Sequence, residues 1–256
     1  MGRSLARLPN SKAFEHGGLY VMRSPALYLL AVCHRTGVHG VGPHKHNDWL
    51  SFDLCVNGRP VIVDPGTYCY TGQPELKALF RSTAYHNTVV VDAQEQLRFA
   101  PSNFALDHPQ GNVRVLHWAS DAGYDSLEAE HTGYTRLRHP VVHRRRFELD
   151  KQHDRLVITD RFISEGSHTV EWFLHLDHGL HCDVSPGQAT VYNAGQPVVR
   201  LWMPGGLSAA VHSCWISPAY NRRTEVECLT WQADTRPGEN ERFEMTFSLE
   251  GALGSE

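Results

Sequence analysis

Leu50-Ser51-Phe52-Asp53-Leu54-Cys55-Val56-Asn57-Gly58-Arg59-Pro60-Val61-Ile62-Val63 is the stretch that decides the fold. Two short apolar runs flank Asn-Gly, the strongest short-range signal for a tight hairpin turn. Working outward, β-like runs precede it at residues 19–22 and 27–32. Others follow at 87–91, 113–118, 141–149, 156–162, 169–176, 198–202, 209–215, 225–231 and 243–249. Asp, Asn, Gly and Pro separate them, as in antiparallel sheets. Only residues 74–80 read as a helix, with proline in the first turn and apolar residues at helical spacing. The expected fold is all-β: a large antiparallel β-sandwich (supersandwich-like) with little helix. Residues 1–15 read as a linker or frayed start, 16–180 as the main sandwich, and 181–256 as an additional antiparallel sheet.

Composition narrows the function classes. The chain has 256 residues, 41% hydrophobic and 20% charged, enough to build a core without disulfides. Its six cysteines contain no CxxC pair, which argues for free thiols and against a zinc ribbon or thiol redox motif. A net charge of -4 argues against a nucleic-acid partner, although a local basic site can still hold an acidic sugar. No apolar run reaches the ~20 residues that span a bilayer, and the first residues lack the apolar region of a signal peptide. No GxGxxG, Walker A, HExxH or GxSxG sequence is present. No repeat of fixed period is visible either, which favours packed sheets over a propeller.

The densest chemistry is Gly42-Pro43-His44-Lys45-His46-Asn47-Asp48. In an extended segment His44 and His46 share a side, ~7 Å apart at the backbone. Asp64 closes the run 61–64, and His86 precedes the run 87–91. Three strand ends carrying His, Asp and His can meet at one rim of a sandwich. Two imidazoles and a carboxylate suit zinc, and also iron or manganese. Asn47 and Asp48 are expected to hydrogen-bond a ligand imidazole and fix its tautomer. Taken alone, an HxH pair is more often two partly exposed histidines. A cupin also carries HxH, but it requires a nearby glutamate that Asn47-Asp48-Trp49-Leu50-Ser51 does not supply.

Three blocks carry a resemblance in order: residues 44–52, 57–68 and 80–92. The first, His44-Lys45-His46-Asn47-Asp48-Trp49-Leu50-Ser51-Phe52, resembles the HxHxDxLSF block of the heparinase II/III-like family. The resemblance spans nearly the whole chain, with Gly133-Tyr134, the run Arg144-Arg145-Arg146 and the segment 215–220 adding to it. It implies the C-terminal β-sheets of a polysaccharide lyase whose N-terminal α/α toroid forms the other wall of a sugar-binding cleft. It further implies zinc held by His46, Asp64 and His86, His44 facing the cleft, and Tyr68 near the substrate. Lys45 departs mildly from the small residue common in the family.

Such lyases cleave uronate-containing polysaccharides by β-elimination. The charge that develops as the C5 proton leaves must be stabilised, and a tyrosine or histidine moves the proton. His44 is expected as base or charge stabiliser and Tyr68 as a positioning or proton-sharing group. Arg81 and Tyr220 are expected to contact an anionic polysaccharide. The family's principal catalytic tyrosine belongs to the toroid, so this chain alone is expected to be inactive, and a periplasmic or extracellular setting is implied. Two alternatives stay open: a non-catalytic carbohydrate-binding or structural sandwich, and a cupin-like metalloenzyme.

Overall fold

The computed structural model describes residues 10–34, 44–70, 72–99, 111–203, 207, 209–238 and 242–249. Gly42, Pro43 and the first nine residues of the expected linker lie outside them. Three antiparallel sheets make up the fold. The first runs in simple order through β1 (Lys12–Phe14), β2 (Leu19–Arg23), β3 (Leu27–Val32), β4 (Phe52–Val56) and β5 (Arg59–Ile62). At the β4–β5 hairpin, Asn57 and Gly58 have φ of 50° and 76°, the backbone that an Asn-Gly turn favours.

A helix, α1 (Pro74–Arg81), and a short strand, β6 (Val89–Val91), follow. Next come β7 (Val113–Ser120), β8 (Tyr124–His131), β9 (Val142–Asp150), β10 (Arg155–Ile163) and β11 (Thr169–His175). The chain ends with β12 (Leu180–Ser185), β13 (Gln188–Asn193), β14 (Gln196–Trp202), β15 (Ala209–Ala219), β16 (Arg222–Asp234) and β17 (Arg242–Ser248). The second sheet has the order β12-β13-β14-β17-β10-β9-β8-β7, and the third β15-β16-β11-β6. β17 pairs with β10, so strands from both sides of residue 180 share one sheet. Lys12–Phe14, within the stretch read as a linker, pairs with β2 as an edge strand.

The eight-stranded sheet forms one layer and the other two sheets form the second. Phe52 of β4 meets Phe147 and Phe247 at ring distances of 5.9 and 6.0 Å. Trp172 of β11 meets Phe162 and Phe243 at 6.0 and 5.2 Å. Burying each such aromatic contributes about 1.5–3 kcal/mol. The first and third sheets adjoin through an antiparallel bridge between Ile62 and Leu176. All three sheets are open, so the cupin barrel does not form among the described residues.

One buried polar network crosses this core. Arg145 holds both carboxylate oxygens of Asp160 at 2.7 and 2.9 Å, and His143 and Trp172 bond the same carboxylate. A second arm of Arg145 donates to the carbonyls of Leu50 and Asn87 at 2.8 and 3.0 Å. Leu50 has φ of 59°, a strained backbone for a bulky residue. Its N–H donates to Val32 O, so it is held from both sides. Arg145 thus ties the core to two chain segments that border the site below.

Candidate functional site

The segment 44–50 leads into β4, residues 63–70 leave β5, and α1 leads through a short turn to His86. These three segments converge at one end of the first and third sheets. Gly66 fixes the second segment: it bridges to Ser217, and a Cβ there would stand 2.6 Å from Ser217 O. Its φ of 76° also favours glycine.

His86 is fully buried, and its Nδ1 lies 2.7 Å from Asp64 Oδ2. Asp64 Oδ1 accepts from the N–H of Gly66 at 2.8 Å. Since a carboxylate accepts, Nδ1 carries the proton and Nε2 the lone pair. That Nε2 is buried with no hydrogen-bond partner, a costly state for a polar atom. The His46 ring stands 5.1 Å from the His86 ring, and its Nε2 is 3.3 Å from Thr67 Oγ1.

Burial, reinforced by the neighbouring His86, pushes His46 down to about 4 and keeps it neutral. Burial would also lower His86, but Asp64 outweighs it and raises that ring's pKa. Asp64 is in turn held below the carboxylate range, burial being outweighed by His86. Burial, with Asp64 nearby, pushes Asp53 up to about 7.

His46, Asp64 and His86 are therefore neighbours, and two imidazoles with a carboxylate fit a zinc ion by type. The orphaned His86 Nε2 is the feature a cation would satisfy. The trio does not form a closed ligand set, however: among the described residues, the trio whose donor atoms all lie within 4.8 Å is His175, Cys214 and Cys228. Asn47 does not bond a ligand imidazole. Its amide donates to Glu95 and Leu97 O at 2.7 and 2.9 Å, because the buried turn at 95–97 needs those partners. Asp48 pairs with His34 at 3.0 Å, which outweighs burial and holds its carboxyl well below the usual range.

A small crevice beside His46 is lined by His44, His46, Thr67, Cys69, Tyr70, Lys77 and Arg81. His44 meets Tyr70 edge-on at 5.7 Å, and Tyr70 stacks on Tyr220 at 5.9 Å. Tyr220 is 65% exposed, so it is an open aromatic face. Tyr68 is packed instead, stacked on Phe80 at 5.6 Å with Arg223 at 5.4 Å over its ring. Arg81 is buried, and its Nε donates to Lys45 O at 2.9 Å, anchoring the strip between His44 and His46.

The triple arginine run is structural. Arg144 pairs with Glu130, Arg145 with Asp160, and Arg146 with Glu148. Sequence reasoning missed Tyr70 and Lys77. Lys77 was signalled by its place four residues before Arg81 on one helix face. Tyr70 lies outside any regular strand, so no periodicity marked it.

The model of the family described as heparinase II/III-like, C-terminal, matches residues 6–246. A heparin-sulfate lyase of Bacteroides stercoris is 25% identical over 186 residues, covering 70% of this chain and 25% of that protein. The crystal structure of heparan sulfate lyase HepC from Pedobacter heparinus matches with a TM-score of 0.79 at 17% identity, over 98% of this chain and 38% of that one. A heparinase III structure gives 0.77 at 20% identity, over 94% and 36%. The chain thus spans a quarter of the curated relative and less than two fifths of these solved structures.

Proposed function

Because the chain belongs to the heparinase II/III-like family, matching its C-terminal region, we propose that it supplies the β-sandwich wall of a polysaccharide lyase cleft. The substrate is a uronate-containing anionic polysaccharide, cleaved by β-elimination. The observation that carries this reading is the row His44, Tyr70 and Tyr220 along the crevice, with Lys77 and Arg81 in its wall. Stacked aromatic faces offer a flat apolar surface to a sugar ring, and cationic groups favour a carboxylate or sulfate.

In this reading His46, Asp64 and His86 hold a zinc ion. The ion supplies order, keeping the two rings and the segments that carry them in place beside the crevice. His44 takes the C5 proton or stabilises the charge left at the carboxylate, and Tyr68 keeps the crevice wall in shape from beneath. An N-terminal α/α toroid provides the opposite wall and the principal tyrosine, so the 256-residue chain alone binds sugar without turning it over. The reading also places the enzyme outside the cytoplasm, in the periplasm or beyond the cell.

The test compares this chain with a longer form that carries a toroid, on heparan, chondroitin, hyaluronan and alginate chains. The expected result is binding by both forms and rising ultraviolet absorbance of an unsaturated uronate from the longer one only. His44→Ala in that form should abolish turnover and retain binding. Binding without turnover on any substrate would favour a non-catalytic sugar-binding module, and neither binding nor turnover would overturn both readings.

A further inference from the structure

The third sheet has a face that the sandwich core does not use. Trp172, Leu174, Leu229 and Trp231 enter the main core, while Phe173, Cys214, Ile216, Val226 and Cys228 form a separate small cluster behind the sheet. His175 lies directly across from Cys228 in the β11–β16 register, on the same face as that cluster. Cys214 pairs with Val226, two residues from Cys228, so the two sulfurs are diagonal neighbours. One ring nitrogen of His175 and the two sulfurs all lie within 4.8 Å of one another, and all three residues are buried.

Asn87 fixes the tautomer of His175. Its Nδ2 donates to Phe52 O and Val63 O at 2.8 and 3.0 Å. The amide oxygen therefore faces His175, accepting from its backbone N–H at 2.8 Å and from Nδ1 at 3.2 Å. With the proton committed at Nδ1, Nε2 keeps a free lone pair. The Tyr85 ring covers His175 at 5.6 Å, and Val63, Ile216 and Val226 surround the sulfurs.

We propose that His175, Cys214 and Cys228 form a second metal site, binding a zinc ion that fastens β11 to β15 and β16. Zinc takes sulfur at about 2.3 Å and imidazole nitrogen at about 2.0–2.1 Å, which sets tetrahedral donors roughly 3.5–3.8 Å apart. All three donor spacings lie within 4.8 Å, so closing on an ion needs a contraction of at most about 1.3 Å. The two thiols each release a proton to solvent and become thiolates; no electron is transferred. Two thiolates and a neutral imidazole cancel the charge of the ion, as an apolar pocket requires.

Cobalt(II) loading of the whole chain tests this site separately from the first one. Wild-type protein and His46→Ala should both show an intense near-ultraviolet sulfur-to-cobalt band. Cys214→Ser should lose most of it while keeping its cobalt at the other site. Zinc X-ray absorption of His46→Ala should show two sulfur neighbours per ion, whether or not the Cys214 variant folds. The proposal is overturned if folded His46→Ala retains no metal or if neither protein gives the sulfur band. An intact mass two hydrogens short, with Cys214 linked to Cys228, would overturn it as well.

Discussion

His86 Nδ1 lies 2.7 Å from Asp64 Oδ2, joining a fully buried ring to a carboxylate whose side chain is 41% exposed. The contact crosses from the core to the rim, and it leaves the other nitrogen of His86 without a partner. Asp64 thereby holds His86 in one tautomer and one orientation.

Replacing Asp64 with Asn should keep the fold and weaken zinc binding by at least about 10-fold, because it removes both a proposed ligand oxygen and the carboxylate that orients the His86 ring. Competition with a chromogenic chelator measures this. An unchanged affinity would separate Asp64 from the metal.

Arg145 and Asp160 form the costliest pair to break. Arg145→Met leaves the buried Asp160 carboxylate without its cation, held only by His143 and Trp172, and frees the Leu50 and Asn87 carbonyls. The expected loss is about 3–5 kcal/mol in urea denaturation. Arg145→Met combined with Asp160→Leu should recover part of it.

Tyr220→Ala should cost about 0.5–1.5 kcal/mol of sugar affinity, the size of an aromatic stacking contribution. Because Tyr220 is exposed, the melting temperature should hardly move. Isothermal titration with an anionic oligosaccharide, paired with thermal unfolding, separates the two effects. Equal sugar affinity in the variant would remove Tyr220 from the binding face.

Stability should fall as pH drops from 7 to 5. Burial, and then the neighbouring His143, hold His131 well below its ordinary pKa; burial also lowers His143, although Asp160 opposes it. The unfolded chain takes up those protons near pH ~6.5 and the folded chain does not, so each ring costs up to about 1.4 kcal/mol per pH unit below that point. Asp160 acts lower down. Arg145 outweighs burial and depresses its carboxyl, so its stabilisation is present above about pH 4 and is lost as pH falls further. Urea denaturation in excess chelator, repeated at each pH, would show the slope; a flat profile would contradict it.

The fold was legible where local chemistry and tertiary structure agree. Asn57-Gly58 specified its turn, and apolar runs such as 156–162 marked inner strands. β8 was missed because Asp125, Ser126, Glu130 and His131 are polar yet buried, and a partner such as Arg144 on the next strand, which holds Glu130, is not visible from local pattern. β12 and β13 were missed because their outward residues are polar and their apolar positions few. At the candidate site, the motif pointed to His46, Asp64 and His86, which the structure brings near one another, but spacing carries no information about which polar side chain turns inward. Asn47 therefore reads as a partner of a histidine until Glu95 and Leu97 are seen beside it. The Cys214–Cys228 diagonal depends on a strand register that no local signal sets.

The most direct measurement is anomalous diffraction at the zinc absorption edge from crystals grown with zinc. The account predicts a peak bonded to His46, Asp64 and His86, next to the crevice lined by His44 and Tyr70. A map with no density there, with His46 still turned to Thr67, would contradict it.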